Sequence, residues 1–166
     1  MMKIPFVDLH TQQKEIRSQI LEGWSKVLDR CNFILGEDVQ KFEQDFATYC
    51  GNRYALGLAS GLDAINLALR GLGIGPGDEV IVQANTFIAS TLGVVMAGAK
   101  PVLVDVNPAT YLADPEAIEK AITPRTKAIM PVHLYGRIYD WKPLLAIAEK
   151  HKLTIVEDAA QAHGAK

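Results

Sequence analysis

The fold is decided by the stretch EVIVQANTFIASTLGVVMAGAKPVLVD (79–105). Its two ends, 79–83 and 101–105, are short runs of mostly apolar residues, and the part between them, about 87–97, has the length of a helix. Continuous rather than alternating hydrophobicity is typical of strands buried on both faces, as in a parallel sheet. The stretch therefore predicts a strand–helix–strand unit of an α/β fold.

The same rhythm continues on both sides of this unit. Apolar runs predict three more strands, at 54–59, 127–132 and 153–157, and helices between them at 61–72, 115–122 and 140–151. Earlier in the chain, apolar residues at helical spacing predict two amphipathic helices, one containing Ile16 to Leu28 and one containing Val39 to Tyr49. Gly51 is expected to end the second of these.

Composition excludes several protein classes. The 166 residues carry a net charge of -2, with 49% hydrophobic and 22% charged residues, which argues against a disordered chain and against a strongly basic nucleic-acid binder. The N-terminus has no apolar signal region and no apolar run reaches membrane length, so we expect a cytoplasmic protein without a membrane partner. Cys31 and Cys50 are expected to be ordinary reduced cysteines.

Ligands of open α/β sheets bind outside the carboxyl ends of the strands, so the residues after each run are the candidates. Ser60-Gly61-Leu62-Asp63 begins a predicted helix, with Ser60 as N-cap and Asp63 as the acidic partner of a capping box. Free N–H groups at such a helix start can cradle a phosphate. The alternative is a well-capped helix that binds nothing.

Phe87 follows the strand at 79–83, and Asn85 or Thr86 is expected to cap the helix after it. The Phe87 ring either stacks on a flat heterocycle at the sheet edge or packs in the core.

Asp158 and Gln161 follow the strand at 153–157. A carboxylate at a poorly solvated strand end requires a cationic partner, and it can hold a pyridinium nitrogen protonated. Gln161 can then bond a phenolic oxygen of the same ring. Asp158 can instead be a helix cap, and Glu157 is expected to serve packing or a salt bridge.

Other chemistries have weaker support in the sequence. Asp105, His133, Asp158 and His163 lie near strand ends but lack the short ligand spacings of metal sites, so we expect no metal. The glycines of 71–80 follow a helix rather than a strand, which argues against a dinucleotide loop. No Gly-x-Ser-x-Gly elbow is present, which argues against a hydrolase of that type.

The chain resembles the sugar aminotransferases of the DegT/DnrJ/EryC1/StrS family, which are fold-type-I enzymes that use pyridoxal 5′-phosphate. The resemblance covers nearly all of the sequence and is carried by IPFVDL (4–9), FILGEDVQKFE (33–43), LASGLDAINLAL (58–69), GIGPGDEVIVQANTFIAS (73–90), AGAKPVLVDVNPATY (97–111), AITPRTKAIMPVHLYG (121–136) and IVEDAAQAHGA (155–165).

The resemblance implies a role for each candidate residue. Asp158 would pair with the pyridinium nitrogen of pyridoxal phosphate, and it is the catalytic residue expected in this chain. Gln161 would bond the phenolic oxygen and Phe87 would stack on the ring. The phosphate would meet Ser60, Gly61 and Leu62, the last through its backbone N–H, since the family usually has Thr at that position.

The resemblance also implies a domain organisation. It predicts an N-terminal arm and helix over 1–35 and a three-layer α/β/α cofactor-binding large domain over 36–166, incomplete at its C-terminus. A small domain and the lysine that binds the cofactor covalently are expected after Lys166, which is itself not expected to be that lysine. On this interpretation the chain alone is expected to be inactive and poorly stable.

The activity implied is transfer of an amino group from an amino acid, expected to be glutamate, to a nucleotide-linked keto-deoxysugar, by a homodimer. Two alternatives stay open. A dehydratase of the same family would have a histidine in place of the lysine, and a regulatory or sensory member would bind ligands without catalysis.

Overall fold

The computed structural model describes residues 4–165, and the chain divides into two compact units, Met1–Ala55 and Leu56–Lys166. The first unit holds helices α1 (Leu9–Arg30) and α2 (Glu37–Cys50), as the helical spacing predicts. Asp8 caps α1 by accepting hydrogen bonds from the first-turn N–H groups. Gly51 ends α2 in the left-handed conformation, with φ of 69°, which glycine adopts without steric cost.

The second unit alternates helices with strands. The strands are β1 (Glu79–Gln83), β2 (Lys100–Val104), β3 (Thr126–Met130) and β4 (Thr154–Ile155). The helices are α3 (Gly61–Gly71), α4 (Ile88–Met96), α5 (Pro115–Lys120) and α6 (Trp141–His151), with a short 3₁₀ turn at Leu134–Gly136. All strand pairs are parallel, in the order β2-β1-β3-β4.

Helices cover both faces of this sheet, so the predicted three-layer α/β/α arrangement is confirmed. On one face Leu69 of α3 and Val94 of α4 share a buried cluster with Val80 and Val82 of β1. On the other face Ile81 belongs to a second buried cluster, which includes Ile118 of α5 and Leu144 of α6. Alternate residues of β1 face opposite layers and all five are buried, which explains why the three residues at its centre, 80–82, are all apolar.

The predicted strand at 54–59 is wrong. These residues are irregular, and Tyr54 and Leu56 are 74% and 76% exposed. A strand exists only where a neighbouring backbone completes its hydrogen bonds, and none of the described strands pairs with this segment. The last predicted strand is present but short, reduced to the two residues of β4.

A buried carboxylate, Glu79, pairs with two exposed cations at the amino end of β1. Glu79 is 2% exposed and accepts hydrogen bonds from Thr123 Oγ1 at 2.5 Å, Arg125 Nη2 at 2.8 Å and Lys100 Nζ at 3.3 Å. The Thr123 hydroxyl first, and then the Arg125 guanidinium, lower the pKa of Glu79 from 4.5 to about 2. Within residues 4–165 no helix is both long and apolar enough to cross a membrane.

Candidate functional site

A cleft of about 740 Å³ opens at the carboxyl edge of the sheet, within the second unit. Its size lies in the range of small-molecule binding sites. The structure brings all six predicted cofactor-binding residues to its wall, namely Ser60, Gly61, Leu62, Phe87, Asp158 and Gln161. They come from three separate segments, which the parallel topology gathers at one edge.

The N-terminus of α3 forms one wall of the cleft. Ser60 Oγ accepts the Asp63 N–H at 3.1 Å, so the predicted N-cap is confirmed, and it donates its own hydrogen to Asp63 Oδ2 at 2.8 Å, so Asp63 bonds the Ser60 hydroxyl and not the backbone N–H of a capping box. The N–H groups of Gly61 and Leu62 have no acceptor inside the helix, because they belong to its first turn. A Cβ placed on Gly61 would meet no protein atom within 4 Å, which leaves room for an anion there.

Phe87 lies immediately before α4, and the N-cap predicted for this helix is wrong. Phe87 itself, rather than Asn85 or Thr86, occupies the N-cap position of α4, and no side chain caps this helix. Its ring is 74% exposed and lines the cleft, so it is not a core residue. The exposed ring offers an aromatic face to a flat ligand.

Asp158 stands at the end of the sheet next to β3, where its backbone pairs with Val132. Its Oδ2 accepts from Ser90 Oγ at 2.6 Å and its Oδ1 accepts from Ala160 N at 3.2 Å. The chain continues from Asp158 in turns, so the helix-cap alternative is wrong. The Asp158 carboxylate is half-buried and lines the cleft. Within residues 4–165 no Lys, Arg or His forms an ion pair with it.

Gln161 reaches the cleft from the turn after Asp158. Its Oε1 accepts the backbone N–H of Tyr135 at 2.8 Å. Because the oxygen is occupied, the amide N–H groups of Gln161 remain to donate to a ligand. Tyr135 has a left-handed backbone, with φ of 59°, an uncommon conformation for a non-glycine residue.

Two hydroxyl groups behind Asp158 were not found by sequence reasoning. Ser90, on the first turn of α4, is 1% exposed, and its Oγ lies 2.8 Å from Thr86 Oγ1. Both residues line the cleft. The only available signal was their spacing of four residues, which places side chains on one side of a helical turn, and this is common in any helix.

Two further polar side chains, His133 and Glu157, also line the cleft. His133, 1% exposed, has its Nε2 at 2.9 Å from Glu157 Oε1, and its ring meets those of Tyr139 and Trp141 edge to face. Glu157 thus contacts protein, as its predicted packing or salt-bridge role requires. Tyr139 accepts the Ala113 N–H at 2.9 Å, and burial raises the pKa of Tyr139 to about 12.

The remaining predicted positions lie elsewhere. Asp105 and His163 do not line the cleft, and Asp105 accepts the N–H of Val106. Lys166 lies outside the described residues. In the described part of the chain no three His, Cys, Asp or Glu side chains are grouped as metal ligands would be.

The donor set fits a flat, cationic heterocycle that carries a phosphate. A helix N-terminus lines the cleft, an aromatic ring offers a stacking surface, and an amide donor and a carboxylate with no cationic partner among residues 4–165 complete the wall. The carboxylate carries negative charge that a ring N–H⁺ would neutralise, since a partly buried charge is stabilised by a paired cation.

Comparison with known proteins identifies close relatives. The chain is 51% identical over 164 residues to a Streptomyces venezuelae protein named dTDP-3-amino-3,4,6-trideoxy-alpha-D-glucose transaminase, covering 99% of this chain and 43% of that protein. It is 46% identical over 165 residues to the pleiotropic regulatory protein of Geobacillus stearothermophilus, covering 99% and 44%. The chain thus spans less than half the length of these relatives.

Solved structures give the same result. S. venezuelae DesV in complex with a ketimine intermediate superposes with a TM-score of 0.95 at 50% identity, covering 99% of this chain and 44% of DesV. NtdA from Bacillus subtilis with bound cofactor PMP superposes with a TM-score of 0.94 at 41% identity, covering 99% and 38%. The sequence also matches the DegT/DnrJ/EryC1/StrS aminotransferase family over residues 14–166. The chain belongs to the DegT/DnrJ/EryC1/StrS aminotransferase family.

Proposed function

We propose that this chain contributes the cofactor edge of a pyridoxal phosphate-dependent aminotransferase that acts on a nucleotide-linked keto-deoxysugar. The observation that carries the proposal is Asp158, a half-buried carboxylate in a ligand-sized cleft with no cationic partner among residues 4–165. A protonated pyridine nitrogen is the complement of such a group. The PMP-bound structure of a relative that is 41% identical supports the choice of cofactor.

Each wall of the cleft has one part in holding the cofactor. The N–H groups of Gly61 and Leu62 would bind the phosphate at the positive end of α3, with the Ser60 hydroxyl available if it leaves Asp63. Phe87 would stack on the ring, and Gln161 would donate its amide N–H to the phenolic oxygen.

Asp158 has the role closest to the chemistry. Bound pyridoxal phosphate supplies an electron sink for bond breaking next to the amino nitrogen. Asp158 keeps a proton on the ring nitrogen through a charge-assisted hydrogen bond, which is what makes the sink effective. The stacked Phe87 and the α3 terminus hold the ring in one orientation, so that the reacting bonds stay aligned.

The substrates and the assembly are part of the same proposal. A relative that is 51% identical is named for transamination of a dTDP-linked amino sugar, which supports a nucleotide-linked keto sugar as acceptor here. Glutamate as amino donor, a homodimer, and a covalent cofactor lysine outside these 166 residues complete the proposal. The division into an arm over 1–35 and a large domain over 36–166 stays a prediction.

The test removes the charge of Asp158 without changing its shape. In the full-length protein, Asp158→Asn is expected to lower transamination roughly a hundred-fold or more, because a charged hydrogen bond contributes up to about 3 kcal/mol. The assay is amino transfer from glutamate to a nucleotide-linked keto sugar. Asp105→Asn, outside the cleft, is the matched control and is expected to retain activity. Normal turnover by Asp158→Asn would contradict the proposal.

A regulatory role is the second candidate, because a relative of 46% identity is named a pleiotropic regulatory protein. The two candidates differ in turnover. A regulatory protein would bind pyridoxal phosphate or a nucleotide sugar but release no aminated sugar when glutamate is supplied, whereas the leading proposal requires that product.

A further inference from the structure

We propose that Ser90 is a positioning residue for Asp158, and that Thr86 and Ser90 form a chain of two hydroxyl groups that fixes the carboxylate toward a cationic ring nitrogen. The inference rests on the proposed function, because it assumes that a ligand of that kind occupies the cleft. It adds two residues that would act through Asp158 rather than by touching the cofactor.

The contacts are short and the central one is buried. Ser90 Oγ lies 2.6 Å from Asp158 Oδ2, which is the length of a charge-assisted O–H···O⁻ hydrogen bond. Thr86 Oγ1 lies 2.8 Å from Ser90 Oγ. Ser90 is 1% exposed, so water does not compete for its hydroxyl.

The donor and acceptor of each of these two hydrogen bonds follow from counting hydrogens. An ionised carboxylate only accepts hydrogen bonds, so Ser90 must donate to Asp158. A hydroxyl has one hydrogen, and Ser90 has used it, so the donor between Thr86 and Ser90 must be Thr86. Both O–H groups therefore point along one path toward the carboxylate, and each polarises the next.

This arrangement fixes the plane of the carboxylate from two sides. Ser90 on α4 holds Oδ2, while the Ala160 N–H in the turn after Asp158 holds Oδ1. A carboxylate held only by its own turn would keep rotamer freedom that ligand binding must remove. With Ser90 in place, the carboxylate is already oriented when a ring nitrogen arrives.

Ser90 could affect the Asp158 carboxylate through its orientation or through its basicity, and the two effects predict opposite changes when Ser90 is removed. Removing a donor makes a carboxylate more basic, which would strengthen its hold on the ring proton. Losing its orientation would instead weaken that hold. We infer that orientation is the larger effect, because within residues 4–165 the other hydrogen bond to this carboxylate is the longer one, 3.2 Å, from Ala160 N.

The experiment uses pyridoxamine phosphate labelled with ¹⁵N in its ring, which binds without a covalent bond. Calorimetry on the full-length protein gives the affinity, and the ¹⁵N resonance of the bound ring reports whether its nitrogen is protonated. The variants are Ser90→Ala, Ser90→Thr, which keeps the hydroxyl, and Thr86→Val. The matched control is Thr126→Val, which removes a 5%-exposed hydroxyl far from the cleft, at the start of β3.

Ser90→Ala is expected to bind about ten-fold more weakly, the effect of losing one hydrogen bond to a charged group, with the ¹⁵N signal moved toward the unprotonated ring. Ser90→Thr is expected to restore both the affinity and the ¹⁵N signal of the wild-type protein. Thr86→Val is expected to change both measurements in the same direction as Ser90→Ala but by less, and Thr126→Val is expected to change neither.

Wild-type affinity in Ser90→Ala, or a ring that becomes more protonated, would overturn the positioning role while leaving the proposed function intact. Absence of binding by the full-length wild-type protein would overturn the proposed function itself, and this inference with it. If Ser90→Ala fails to fold, the affinity and the ¹⁵N signal measured with Thr86→Val test the positioning role instead.

Discussion

At the scale of single residues, Tyr139 joins buried polar groups from distant parts of the chain. Its hydroxyl donates to Gln83 Oε1 and accepts the N–H of Ala113. Gln83 is 1% exposed and Tyr139 is 6% exposed, so water cannot replace either bond. The ring also packs edge to face on His133, which lines the cleft.

Tyr139→Phe is therefore expected to lower the free energy of unfolding by about 1–3 kcal/mol, since it leaves buried partners unsatisfied. Urea denaturation measures the change. Tyr135→Phe removes the same atom from a side chain that is 83% exposed and is expected to change stability by less than about 0.5 kcal/mol. Equal effects of the two substitutions would show that the buried bonds contribute nothing.

Single residues also show how much of the candidate site could be predicted from the sequence. Asp158, Gln161 and Phe87 could be predicted because the ends of parallel strands meet at one edge, and a resemblance gave each a role. Ser90 could not, since a serine in an apolar helix gives no sign of its partner. That partner is 68 positions away in sequence and is fixed only by the way α4 packs on the sheet.

At the scale of elements, helices α3 and α4 approach closely at Gly93. A Cβ on Gly93 would lie 2.5 Å from Ile65 Cγ2 and 2.8 Å from Ile65 Cβ. Both distances are shorter than van der Waals contact, and Ile65 belongs to the buried cluster on that face of the sheet. The two helices therefore require glycine at this position.

Gly93→Ala is expected to destabilise the protein by about 1–3 kcal/mol through overpacking, although alanine is the better helix former. Gly71→Ala, at the end of α3, adds a methyl group that would meet nothing within 4 Å and is the matched control. The control is expected to be neutral or stabilising by up to about 1 kcal/mol. Thermal unfolding of both variants tests this, and a stabilised Gly93→Ala would contradict the observed approach.

Glu79, at the amino end of β1, contributes to the response of stability to acid. Because the pKa of Glu79 is lower in the folded state, about 2 against 4.5, its contribution to stability is present above pH 4.5 and is lost as the pH falls toward 2. Glu79→Gln is expected to be less stable at pH 7 and to lose less stability than wild type between pH 4.5 and 2. Denaturation curves across this interval provide the measurement, and parallel losses in both proteins would refute the role of Glu79.

Elements were predictable where hydrophobic pattern and burial agree, and not otherwise. The five residues of β1 are all buried, and the apolar run at 80–82 within it correctly indicates an inner parallel strand. The run at 54–59 is apolar too, but whether it forms a strand depends on a neighbouring backbone, which no local pattern encodes. The start of α4 was misassigned because Phe87 begins the helix without a polar cap.

At the scale of the whole molecule, the two units differ in whether they supply residues to the cleft. Every residue that lines the cleft belongs to the second unit, Leu56–Lys166. A ligand stabilises whatever part of the protein must be folded to bind it. The second unit should therefore gain stability from the cofactor.

Pyridoxamine phosphate at a hundred times its dissociation constant is expected to stabilise the second unit by about 2.7 kcal/mol, slowing its most protected amides about a hundred-fold. Hydrogen exchange followed by mass spectrometry resolves the two units. The amides of α1 and α2 serve as the internal control and are expected to keep their rates. Protection confined to α1 and α2 would mean that the cleft is not the binding site.

The strand order also has a consequence for biosynthesis. The inner strand β1 leaves the ribosome before both of its neighbours, β2 at 100–104 and β3 at 126–130. At about 5–20 residues per second, this apolar strand waits on the order of seconds for its second partner. During that interval nascent-chain chaperones have a site to bind, and slow translation between residues 83 and 130 would lengthen their access.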